Sequence, residues 1–201
     1  MLPVDVLVSE HELILYAVSV LKKEQRKIVA AVKVDPDVIV AVVDFFRTYA
    51  DRYHHGKEEG ILFNALYKRK LSDVDGEMIR ELILEHALAR RTVTSLENLK
   101  TSYINGISES LNDIIDCFST LVELYPEHIE KEDKHFFYPS MTYFTEKEQQ
   151  EMLQKFLEFN QNFTDNHYKQ TMETIEKKGE GNNMFNAERI STGKPITNST
   201  Q

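Results

Sequence analysis

Two His-x-x-x-Glu units, His54 with Glu58 and His128 with Glu132, stand out in a chain of 201 residues that has only seven histidines. On an α-helix a residue four places on lies about 6 Å along the axis and about 40° around it, so each unit presents an imidazole and a carboxylate on one face. Imidazole with carboxylate suits iron, manganese or zinc, and the absence of thiolates argues against copper(I) or an iron–sulfur cluster. The segments HHGKEEGILFNAL from 54 and HIEKEDKHFFYPSM from 128 align without gaps as a weak internal repeat, placing Glu58 against Glu132 and Glu59 against Asp133. His11 shares a helical stripe with Leu7, Ile14, Leu15 and Val18, and His86 with Ile79, Leu82, Ala89 and Val93, so both face inward. A single inward histidine is ordinarily a hydrogen-bonded core residue, and a single His-x-x-x-Glu is ordinarily a solvated pair. The chemistry therefore depends on whether the elements bring all six residues together.

Helical periods dominate, with almost no strand signal. The apolar spacing predicts a first helix over about 4–32. Asp35 and Pro36 then read as N-cap and first-turn proline of a second helix running to about Lys70. A third helix is predicted over about 75–103 and a fourth over about 108–138, with a kink or local break at Pro126, because proline lacks the amide donor and crowds the preceding turn. Thr145 and Glu148 form a capping-box signature for a fifth helix over about 146–178, interrupted near Asp165 and Asn166. The expected fold is all-α: an up-down-up-down antiparallel four-helix bundle over 1–142, a C-terminal helical extension over 143–178 packing on it, and a polar, disordered tail over 179–201. Counting residues from the turns at about 1.5 Å each brings His11, His54, Glu58, His86, His128 and Glu132 to one height in that bundle.

Four imidazoles and two carboxylates inside an apolar bundle make a poor core unless something ligates them, since buried unpaired polar and charged groups cost several kcal/mol each. The six are too many for one tetrahedral zinc and too few to saturate two octahedral ions. Two bridging glutamates, two histidines per ion and an open position fit a dinuclear metal centre. His55 points towards the rim on this wheel, and His55 and Glu59 read as supporting or solvated residues. Asp133 is the alternative to Glu132, with a role behind the ligands otherwise. His135 is either a seventh ligand or a pocket residue, and His167 reads as surface or capping. Tyr16, Tyr53 and Tyr138 are near enough in sequence to hydrogen-bond the ligand layer, although half-buried packing is common for tyrosine. Cys117, the only cysteine, reads as a buried small apolar residue and excludes an internal disulfide or a zinc ribbon.

The net charge of −9 argues against nucleic-acid and anionic-membrane surfaces, which need concentrated Lys and Arg. The longest purely apolar run is VIVAVV at 38 to 43, far short of a membrane span, and the N-terminus lacks a basic region leading into an apolar one, so a cytoplasmic location is expected.

EHELI at 10, HHGKEEGILF at 54, EHALAR at 85 and HIEKEDKHFFYP at 128 occur in an order that resembles the hemerythrin-like proteins, also called the HHE cation-binding domain, over about residues 4 to 142. The resemblance implies a four-helix bundle holding a carboxylate-bridged, non-haem di-iron centre of two iron ions, with His11, His54, Glu58, His86, His128 and Glu132 at the ligand positions. The oxygen-carrying members have His-x-x-x-His on the third helix and His-x4-Asp on the fourth. Arg90 stands four places after His86 here, which implies fewer histidines on one iron and disfavours a reversible oxygen carrier. The arrangement looks more like members linked to nitric-oxide stress and iron–sulfur repair, without the Cys-containing N-terminal extension of some of those.

The function expected is binding or sensing of a small diatomic molecule, oxygen or nitric oxide, or the handling of iron. The alternative is a di-iron enzyme reducing nitric oxide or peroxide. It needs an external electron donor, because no flavin or nicotinamide motif and no cysteine pair is present. No catalytic residue is assigned. A zinc-filled structural bundle is a third class.

Overall fold

The computed structural model describes residues 1–107, 110–160 and 166–177, and every regular element among them is helical. The chain is all-α. The expected interruption near Asp165 and the tail over 179–201 lie outside the described residues, except that Asn166 is helical.

Local chemistry sets the boundaries. Helix α1 (Pro3–Ala31) starts at a box in which the Asp5 carboxylate accepts from the Leu2 amide at 2.6 Å, and it ends where Val32 turns left-handed. Asp35 caps α2 (Pro36–Asp44) by accepting from the Asp37 amide at 3.0 Å. The rod continues without a break through a π-helical stretch (Phe45–His55), a second one (Glu58–Phe63) and α3 (Asn64–Leu66). Ser72 caps α4 (Asp73–Ile104), and Gly106 at φ +83° follows its end. The last rod is α5 (Ser110–Lys131), a third π-helical stretch (Glu132–Phe136) and α6 (Phe137–Ser140). Thr145 and Glu148 form the expected capping box at the start of α7 (Glu146–Asn160).

Helix α5 continues through Pro126, so of the kink or local break expected there the break is absent. Pro126 has no N–H to give the Val122 carbonyl, and the helix continues past it. The departures from α geometry fall instead at the stretches that carry His54, Glu58 and Glu132.

Helix α4 packs along α5, α1 along α5 and α2 on α4, while α7 lies against α1 and the Glu58–Phe63 stretch. Two apolar clusters fill the interior. One holds Ile14, Leu21, Phe46, Tyr49, Leu96 and Phe118, the other Leu7, Phe63, Leu82, Phe136, Phe137 and Phe156. On every rod the change from one cluster to the other occurs at buried polar residues: Glu10 and His11 on α1, His54 to Glu58 on the second rod, His86 on α4, His128 and Glu132 on the last. A polar layer thus lies between two dry ones. No helix among the described residues is long and apolar enough to cross a membrane.

Candidate metal centre

The polar layer is a closed ring. His11 Nε2 lies 2.9 Å from His54 Nε2, which lies 3.1 Å from Glu58 Oε1; Glu58 Oε2 lies 3.4 Å from His86 Nε2, which lies 3.1 Å from His128 Nε2; His128 Nε2 lies 3.4 Å from Glu132 Oε1, and Glu132 Oε2 returns to His11 Nε2 at 3.3 Å. Each carboxylate therefore turns one oxygen to each half of the ring. All six residues anticipated from the sequence come together, and none is more than 3 % exposed.

A seventh joins them. His55, expected at the rim, is 1 % exposed, and its ring stacks on that of His86 at 3.8 Å and 11°. The cause is the π-helical stretch Phe45–His55, whose i→i+5 turns are wider than those of the assumed wheel and bring neighbouring residues onto the inner face. The donors then divide into His11, His54, Glu58 and Glu132 on one side and His55, Glu58, His86 and His128 on the other, with the donor atoms of each set within 4.8 Å of one another.

Behind the ring, every imidazole gives its Nδ1–H to a carboxylate: His11 to Asp133 at 2.8 Å, His54 to Glu10 at 2.8 Å, His86 to Glu59 at 2.7 Å, His128 to Glu85 at 2.8 Å, and His55, more loosely, to Asp51 at 3.4 Å. Most of these carboxylates are held in turn by cations. Lys57 reaches Glu10, Lys131 reaches Glu85, and Arg90 bonds both Asp51 and Glu59 at 2.7 Å. Asp133 and Glu59 thus stand behind the ring rather than in it. His135 is exposed and takes no part, and His167 is likewise on the surface. Tyr16 bonds Glu176, Tyr138 bonds Asp5, and the Tyr53 ring lies under the Lys57 ammonium. Cys117 is half-buried rather than buried.

With the Nδ1 protons committed outward, the inward Nε2 atoms offer lone pairs. They face one another and four carboxylate oxygens. Both oxygens of Glu58, both of Glu132, and His55 Nε2 are buried and lack a hydrogen-bonding partner. Such a cluster of acceptors without donors is strongly unfavourable unless cations enter it. The spacing suits them, because donors at ~2.1 Å from one ion and at roughly 90–109° to each other are ~3.0–3.4 Å apart. The outward bonds to carboxylates are also the usual way of fixing a metal-bound imidazole.

The electrostatics agree. Burial pushes the Glu58 carboxyl up, but the imidazoles of His54, His86 and His128 reverse this and hold it at about 2. Burial and the neighbouring Glu58 charge push Glu132 well above the usual carboxylate range, since two carboxylates this close resist ionising together without a cation. Burial opposes protonation of His54, yet Glu58 and Glu10 raise its pKa, whereas burial and the surrounding imidazoles push His55 well down and keep it neutral. Protons occupy, in part, the place cations would take.

The sequence matches the Hemerythrin HHE cation binding domain over residues 2–138. No curated protein matches the chain, and no solved structure does. The match covers both His-x-x-x-Glu units, both inward histidines and all three π-helical stretches, and the buried acceptors need cations, so this chain belongs to the hemerythrin HHE cation-binding domain family.

Proposed function

We propose that the chain is an up-down-up-down antiparallel bundle with a carboxylate-bridged, non-haem di-iron centre that binds or senses oxygen or nitric oxide. The observation that carries this reading is the set of five buried atoms without partners, four of them oxygens of two carboxylates that each face both halves of the ring. His11 and His54 would hold one ion and His55, His86 and His128 the other, with Glu58 and Glu132 bridging. Fewer histidines on one ion followed from Arg90 standing in the third helix; in this reading His55 supplies the donor from the second rod.

Two histidines with two carboxylates would provide four donors and the other half five, which would leave a six-coordinate ion two open positions on the first half and one on the second for small ligands. The bound ions supply the redox-active, Lewis-acidic position that a diatomic molecule needs. The chain's own residues orient and enclose it. The outer carboxylates fix each imidazole, while Phe137 stacks on His11 at 5.7 Å and Phe63 on His86 at 6.2 Å, keeping water from that side.

The test is anaerobic purification from iron-supplied cells, metal analysis, and titration with nitric oxide and then oxygen. Near two irons per chain and a spectrum that responds to either gas are expected. One tightly held zinc, indifferent to iron supply, would overturn the dinuclear reading, and sustained turnover of nitric oxide with an added reductase would make the protein an enzyme instead.

A further inference from the structure

Apart from the bridging carboxylates and His55, one buried side-chain polar atom lacks a hydrogen-bonding partner among the described residues: the hydroxyl of Tyr125. Tyr125 is 2 % exposed, and its ring lies 6.3 Å from that of His55, nearly parallel at 11°, and 6.5 Å from that of His128. It therefore belongs to the three-histidine half. A phenol this dry loses its bonds to water and needs a new acceptor. Burial raises its pKa, and the charge of Asp51 adds to this.

Tyr125 also lines a cavity of about 190 Å³, with the exposed Arg52 and Thr94 at its rim and Val93, Asp51 and Arg90 among its walls. Two of its walls, Asp51 and Arg90, hold His55 and, through Glu59, His86 from behind. Arginines at its mouth favour entry of negative charge.

We propose that the Tyr125 hydroxyl donates a hydrogen bond to a small anionic ligand bound at the position left open on the three-histidine half, and that this cavity is the ligand's route inward. The inference rests on the metal-centre reading above and adds a ligand-binding residue and a path to it.

The probe is azide, added to the iron-loaded, oxidised full-length chain and followed by its charge-transfer absorption, with metal content measured on every sample. Tyr125→Phe is expected to keep its metal and bind azide about 10-fold more weakly, the scale of one hydrogen bond to a charged acceptor. A ring-fluorinated tyrosine at 125, a stronger donor of nearly the same shape, should bind azide more tightly than the wild type, which a purely structural role would not produce. Thr94→Trp, at the exposed mouth, should keep the affinity and slow association several-fold. Azide affinities in the two Tyr125 variants within about twofold of wild type would overturn the hydrogen bond, and wild-type association in Thr94→Trp would overturn the route. A wild-type chain that takes up no iron defeats the metal-centre reading itself, whereas loaded variants that titrate alike defeat only this inference.

Discussion

The internal repeat gives the centre two halves built from equivalent residues, and they part company at a few positions. Glu10 and His11 correspond to Glu85 and His86, and His54, Lys57, Glu58 and Glu59 correspond to His128, Lys131, Glu132 and Asp133. The outer bonds repeat as well: Glu10 accepts from His54 and is held by Lys57, as Glu85 accepts from His128 and is held by Lys131. Glu59 holds His86 across the bundle, as Asp133 holds His11. The symmetry fails where His55 meets Ile129 and where Arg90 meets Leu15. Lys57 is fully buried whereas the Lys131 side chain is 27 % exposed. One half is thus richer in histidine and clamped by a half-buried arginine; the other has fewer donors and a dry lysine behind it. The duplicated scaffold supplies the two carboxylates that face both halves, and unduplicated residues make the two donor sets differ.

That contrast can be broken most severely at the shared bridge. Glu58→Ala removes an oxygen from both halves, and metal analysis should fall from near two ions per folded chain to below one, with helicity by circular dichroism retained. If instead one ion is lost cleanly, the carboxylate serves one half only and the two-faced arrangement is wrong.

Single histidines should separate the halves. His54→Ala leaves its half with one imidazole and should lose that ion, whereas His55→Ala reduces the other half to two imidazoles and should retain both ions when metal is in excess. Competition with a chelator would measure this; equal losses from the two variants would mean that the extra histidine does not matter to the second half.

The outer clamps come next. Arg90→Met releases Asp51 and Glu59 together, and affinity at the three-histidine half should fall by about 10–100-fold while the other half is unchanged. Lys57→Met should weaken the other half similarly, and in addition lower stability by ~3 kcal/mol in chemical denaturation, because Glu10, only 4 % exposed, keeps its bond from His54 but loses its buried cationic partner. An Arg90 variant as unstable as the Lys57 variant would erase the distinction between a half-exposed clamp and a buried one.

The smallest effect concerns order. A mild chelator added to the wild type should remove iron in two phases, the two-histidine ion first, and the melting temperature should drop in step with metal loss. A single phase would indicate that the halves are equivalent despite their unequal donors.

Much of this was legible because the repeat and the i, i+4 units survive modest distortion of a helix. His54 with Glu58, and His128 with Glu132, share a face on any winding near 3.6 residues per turn. His55 was not legible on that assumption. A trace of it exists: Phe45 and Phe46, Tyr49 and Ala50, Tyr53 and His54 recur as inward pairs every four residues, a longer period than an α-helix keeps and the mark of an under-wound stretch. The outer carboxylates were hidden for a different reason. Glu10 precedes His11 and Glu85 precedes His86, yet each serves a histidine of another rod, and such cross-pairing depends on how rods face one another rather than on spacing within one. Tyr125 was hidden likewise, since its inward apolar spacing reads as ordinary packing, and only the geometry reveals a hydroxyl without an acceptor.

Lys57 has a reach beyond its own half. Besides Glu10, its ammonium bonds the side-chain oxygen of Asn160 at 2.7 Å and lies 3.3 Å from the centre of the Tyr53 ring, while Phe159 comes so near Gly56 that a Cβ there would meet it at 3.1 Å. Asn160 ends α7, well past residue 138 where the family match stops. The last turn of α7 is therefore wired to the imidazole of His54 through two hydrogen-bonded links, a lysine and a glutamate. A strain or charge change at His54 has a short mechanical line to the molecule's exterior, and a chain cut at the family boundary would lose the far terminal of that line.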